Sequence, residues 1–152
     1  MLAFGWFAHR AIEADIEWRY AFLEPQTEAL VRGPNGEIGF LDVLIPPDDM
    51  YEIKPWPNYR AARADLRYYK YLNPKLNPRK YLLDGDVNDP PPLVGVSIRY
   101  LTKENGVILY LPYLNAKGVI IGAITIALAA NIAQAETVTE LTVVRGAATG
   151  GL

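Results

Sequence analysis

The stretch GFLDVLIPPDDMYEIKP, residues 39–55, decides how this chain folds. It reads as a strand running to Ile45, a turn at Pro46-Pro47-Asp48-Asp49, and a short strand from Met50 to Lys54 closed by Pro55. Paired antiparallel with Ile45 facing Tyr51, the hairpin sets Asp42 opposite Lys54 and Leu44 opposite Glu52. Alternation gives one face to Leu41, Val43, Ile45, Tyr51 and Ile53, which is a core face. The other face carries Asp42, Glu52 and Lys54 with Leu44, so three ionisable groups converge within roughly 5–8 Å of one another.

Residues 4–22 have helical periodicity, with Phe7, Ile12, Ile16 and Tyr20 along one stripe. Glu13 and Glu17 lie one turn apart on one face of that helix, and His9 lies one turn before Glu13. Residues 26–32 are strand-like and lead through Gly33-Pro34-Asn35-Gly36, a strong hairpin signal, into a strand over residues 37–45. On the other side, residues 59–72 form a second helix with Leu66, Tyr69 and Leu72 on its apolar stripe, and Pro74 and Pro78 prevent its continuation. A polar loop is expected over residues 84–92. Strands follow at 93–101 and 106–114, then an apolar helix at about 117–135 and a last strand at 137–145. The resulting order is α-β-β-β-α-β-β-α, a mixed α/β or α+β domain over residues 1–145, with residues 146–152 as a frayed tail.

Composition narrows the chemistry. A chain of 152 residues fits one domain, and 51% hydrophobic residues are ample for a core. With no Cys, disulfide scaffolds, thiolate zinc sites and cysteine nucleophiles are all excluded. A single His, His9, excludes a multi-histidine zinc site. Fifteen basic against seventeen acidic residues give no global basic footprint for nucleic acid. Residues 2–8 lack the positive flank of a signal peptide. Residues 119–130 are apolar, but twelve helical residues rise about 18 Å and fall short of a membrane span. A soluble domain with a buried C-terminal helix is the expectation.

What remains is carboxylates, Lys, Arg, Tyr and a hard metal ion. Asp42 and Glu52 offer the oxygen ligands that Mg²⁺ takes. The Lys54 ammonium can orient or deprotonate a water, or offset charge on a pentavalent phosphate. Together they equip the face for metal-assisted phosphodiester hydrolysis.

Asp42, nine intervening residues, then Glu52-Ile53-Lys54 resembles the PD-(D/E)XK motif of restriction-endonuclease-like nucleases, and the surrounding order resembles that superfamily's α-β-β-β-α-β core. The resemblance covers residues 5–112. No Pro precedes Asp42; Leu41 stands there. It implies a Mg²⁺-dependent endonuclease, with Mn²⁺ as a substitute, in which Asp42, Glu52 and Lys54 are catalytic and Asp42 and Glu52 hold the metal. The family's first helix commonly adds a Glu, for which Glu13 and Glu17 are candidates. Asp65 stands where many members carry Gln, and His9 is a further auxiliary candidate. Within the superfamily the likeness is to nuclease toxin domains of bacterial secreted effectors, through the phrase YEIKPW, the strand GVILYLPY and the apolar C-terminal segment. That implies delivery into a target-cell cytoplasm and a cognate immunity protein.

Other readings stay open. Asp42, Glu52 and Lys54 also fit a solvent-facing cross-strand ion pair, contributing about 0–1 kcal/mol. Arg63, Arg67, Tyr68 and Lys70 suit phosphate contact and base stacking, and equally suit a surface helix with a buried Tyr edge. Trp56 reads either as a lid over the site or as a core plug. DNA is favoured over RNA as substrate, and homodimer formation is left open. The competing functions are a non-catalytic nucleic-acid-binding or protein-docking domain, and membrane disruption through residues 119–130.

Overall fold

The computed structural model describes residues 3–79 and 82–120. Helix α1 spans Ala3–Arg19, and its buried apolar residues Phe4, Ala8, Ile12 and Ile16 recur every fourth position in one stripe. Phe7 is only half-buried beside that stripe. The helix stops short of residue 22 because the chain tightens into a 3-10 turn, Ala21–Leu23, and Glu24 adopts a left-handed φ of 55°. The meander β1 (Gln26–Arg32), β2 (Ile38–Ile45) and β3 (Asp49–Pro55) follows, and the first hairpin turns at Gly36, whose φ of +85° suits glycine. Helix α2 occupies Tyr59–Leu72, as the periodicity predicts, and buries Ala62, Leu66 and Leu72.

Beyond α2 come β4 (Asn77–Pro78), β5 (Asp84–Asn88), β6 (Val96–Glu104) and β7 (Val107–Leu114). The seven strands make one mixed sheet in the order β1-β2-β3-β7-β6-β5, with β4 beside the start of β3. β3 runs parallel to β4 and β7, whereas all other neighbours are antiparallel. The protein is thus mixed α+β, a seven-stranded sheet flanked by helices. One core packs α1 against Val43, Ile45, Tyr51, Ile53, Ile98, Tyr100 and Tyr110. A second packs α2 against Leu41, Met50, Val107 and Leu109.

Several expectations need correction. Part of the polar loop expected at 84–92 is the edge strand β5. Its acids are tied down across the ladder: Asp86 accepts from Arg99 at 3.1 Å and from Tyr113 at 2.7 Å. An edge strand tolerates such residues because one of its sides needs no partner. The β2–β3 register also differs, pairing Val43 with Tyr51, Leu44 with Met50 and Ile45 with Asp49. The turn therefore contracts to Pro46-Pro47-Asp48, and Asp42 comes level with Glu52 instead of Lys54. A shift of two residues preserves the faces, so Glu52 and Lys54 stay together. Leu41 does not share the face of Val43; it joins the α2-side core. Alternation breaks at Asp42, beside which Glu28 of β1 takes a left-handed φ of 50°. Residues 116–120 are helical, and the remainder of the expected C-terminal helix, the strand at 137–145 and the tail lie outside the described residues.

Candidate metal-binding acidic centre

The centre forms on the β2 edge of β3, where the backbone ladder between the two strands ends. That ladder covers Asp49 to Tyr51 and leaves a gap beyond it, while on the opposite edge β7 pairs with β3 from Glu52 onward. In the gap, side chains replace backbone as partners. The Ile53 N–H donates to Asp42 Oδ2 at 2.7 Å, and the Asp42 N–H donates to Glu52 Oε1 at 3.4 Å. Asp42 and Glu52 are both buried, which a solvent-facing ion pair would not be.

Helix α1 and strand β1 complete the centre. Carboxylate oxygens of Glu13, Glu28 and Asp42 all lie within 4.8 Å of one another. Glu13 is 2% exposed, and while its Oε2 accepts from Arg10 at 3.3 Å, its Oε1 is buried without a hydrogen-bond partner. A buried, unpaired carboxylate oxygen facing two further acids is costly unless a proton or a cation occupies the space between them. His9 places Nδ1 3.9 Å from Asp42 Oδ1, and its ring stands edge-on to Tyr110 with centroids 5.8 Å apart.

On the α2 side, Lys54 Nζ lies 2.7 Å from Asp65 and 3.7 Å from Glu52. Asp65 therefore meets the centre through Lys54. Tyr69 fixes the same helix to β2 by donating its hydroxyl to the Phe40 carbonyl at 2.7 Å.

The electrostatics follow from burial and crowding. Burial pushes the Glu13 carboxyl up to about 9, helped by the charge of Glu28 and by the hydrogen bond that a protonated Glu13, unlike the carboxylate, can donate to it. Burial and the neighbouring Asp42 push Glu52 up to about 9 as well. Asp42 is raised by burial, against the pull of His9, the Ile53 N–H and Glu52. Burial lowers His9, so its imidazole is neutral at pH 7. Burial also pulls Lys54 down, but the hydrogen bond to Asp65 and the charges of Glu52, Asp65 and Asp42 outweigh it and leave the ammonium raised.

The family models, the curated proteins and the solved structures contain no match to this chain.

The predicted residues divide accordingly. Asp42, Glu52, Lys54, Asp65, His9 and Glu13 are brought together. Glu17 is not: it is exposed, accepts from the Thr27 hydroxyl, and stands outside the acidic group. Sequence reasoning missed Glu28, an acid near the middle of β1 that joins the group in a left-handed conformation no residue pattern signals. Arg63, Arg67 and Lys70 line a groove of about 1000 Å³ on another flank of α2, with Tyr71, Lys103 and Glu104. Tyr68 is not in its lining, and its ring packs 5.9 Å from that of Tyr69. Trp56 is 50% exposed and therefore not a core plug.

Proposed function

We propose that this protein is a divalent-metal-dependent nuclease of restriction-endonuclease-like type, using Mg²⁺ or Mn²⁺ and favouring DNA over RNA. The observation that carries the reading is the Glu13–Glu28–Asp42 group, with Glu13 and Asp42 buried, Glu28 at its exposed edge and one Glu13 oxygen without a donor, set beside Glu52 and Lys54. Three hard carboxylates at that spacing fit a hard cation. Glu13, Glu28 and Asp42 would hold it, with Glu52 adjoining through its contact with Asp42. A bound Mg²⁺ supplies Lewis acidity and lowers the pKa of its water.

The protein's own groups account for the rest. Lys54, held charged by Asp65 and Glu52, is suited to offset negative charge on a pentavalent phosphate and not to remove a proton. Neutral His9 beside Asp42 can accept or relay a proton. Asp65 orients the ammonium from α2.

The test is plasmid and RNA cleavage by purified protein with Mg²⁺, with EDTA, and by Lys54→Ala with Mg²⁺. Cleavage by the native protein with Mg²⁺ alone is expected. Intact substrates in every lane would leave a non-catalytic binding domain as the reading, and cleavage surviving Lys54→Ala would mean that the site is misassigned.

The biological setting we propose is a toxin domain delivered into target cells and held in check by an immunity protein. It is supported by the sequence likeness alone. Growth arrest on cytoplasmic expression, relieved by Lys54→Ala, is its signature. The competing route, membrane disruption through residues 119–130, falls almost wholly outside the described residues, among which no helix is long and apolar enough to cross a membrane.

A further inference from the structure

We infer that the groove on the flank of α2, continued by the exposed Trp56 ring, is a track for single-stranded nucleic acid. The inference deepens the nuclease reading by naming the form of its substrate. The groove lies on the face of the molecule that Arg63, Arg67 and Lys70 share with the β6–β7 turn. Its cations are unevenly committed. Arg63 is paired with Glu104 and stacks over the Tyr59 ring at 5.2 Å. No carboxylate pairs with Arg67, Lys70 or Lys103 among the described residues. Among the described residues Lys70 hydrogen-bonds to neutral oxygens, those of Leu76 at 2.8 Å and Asn77 at 2.9 Å. In a chain of net charge −2, three such cations along one groove are a local phosphate-binding surface.

Trp56 extends this surface along the chain toward Lys54. It follows Lys54 by two residues, is half-exposed, and has the Lys103 ammonium 5.7 Å from its ring centroid. A base stacked on that ring would find a cation of the groove already beside it. Stacking of this kind needs a base whose face is free, which a duplex does not offer. The volume, about 1000 Å³, is that of a cleft for a small ligand and suits a few nucleotides of one strand.

Binding is measured by fluorescence anisotropy in EDTA, which separates it from cleavage, using labelled single-stranded DNA, single-stranded RNA and duplex DNA. Single strands are expected to bind at least ten-fold tighter than the duplex, and the DNA and RNA arms identify the natural strand. Trp56→Ala is expected to weaken single-strand binding about five-fold or more, with Trp56→Phe restoring most of it. Arg67→Gln with Lys103→Gln should flatten the salt dependence by a log–log slope of about 1.4, from two phosphate contacts. Duplex bound as tightly as single strand, or unchanged affinity in folded Trp56→Ala and in the double variant, would overturn the inference. Binding as described without cleavage in Mg²⁺ would overturn only the nuclease reading, and cleavage without preference for single strands only this one.

Discussion

The backbone N–H of Ile53 donates to Asp42 Oδ2 at 2.7 Å, so the strand carrying Glu52 and Lys54 is held to its neighbour by the carboxylate that also faces Glu13 and Glu28. One side chain thus serves the sheet and the acidic centre. This separates two substitutions that would otherwise look alike. Asp42→Asn keeps an acceptor for Ile53 while removing a charge from among crowded acids, so metal-free stability at about pH 8 should hold or rise. Asp42→Ala strands the buried N–H and should cost roughly 1–3 kcal/mol. Urea denaturation distinguishes them, and equal losses in both would mean that the hydrogen bond carries no weight.

Metal-free stability should fall as pH rises. Folded Glu13 and Glu52 keep their protons up to about 9, against the ordinary 4.5 expected of the unfolded chain. Between those values the folded state binds more protons, so ΔG of unfolding declines with rising pH. His9, lowered from 6.5, acts in the opposite sense but only below its usual value. Thermal melting in EDTA between about pH 7 and 9 therefore reports the acids, and a flat or rising Tm there would contradict the assignment.

Divalent cation should reverse that loss. Carboxylates must release their protons to bind metal, so the Tm increase on adding Mg²⁺ or Mn²⁺ should be larger at about pH 8.5 than at pH 6. Glu13→Gln should abolish most of the increase, whereas Glu17→Gln, outside the acidic group, should leave it intact. Equal responses from the two variants would place the ion elsewhere.

Lys54 and Asp65 should behave as an actor and its holder. Removing the ammonium in Lys54→Ala is expected to lower single-turnover cleavage on the order of 10²–10³-fold. Asp65→Asn leaves the ammonium in place with a weaker partner at the 2.7 Å contact, and a loss of several-fold is expected. Cleavage by Asp65→Asn as low as by Lys54→Ala would assign Asp65 a direct role.

Gly106, at the β6–β7 turn, has a φ of +75°, and an added Cβ would stand 2.7 Å from the Pro78 Cβ and 3.0 Å from the Met50 carbonyl. Gly106→Ala should destabilise the fold by more than about 1 kcal/mol through both backbone strain and contact. Chemical denaturation measures it, and a neutral outcome would require the turn to shift away from β3 and β4.

Element types over most of the described chain are legible in local sequence signals. Helix α2 is legible because Leu66, Tyr69 and Leu72 keep a helical period and Pro74 and Pro78 prevent its continuation. The hairpin at Gly33–Gly36 and the grouping of Glu52 with Lys54 follow from turn chemistry and from alternation. Those signals are local, carried by residues a few positions apart. Tertiary structure alone decided the register of β2 on β3, the break in alternation at Asp42, the entry of Glu28, and the exclusion of Glu17. Each depends on how α1, β1 and β2 settle around a buried acidic gap. A left-handed Glu28 and a ladder completed by the Asp42 side chain are tolerated only because the surrounding core over-determines them. No local pattern encodes that balance, since it is set by residues distant in sequence that meet around the buried Glu13 and Asp42.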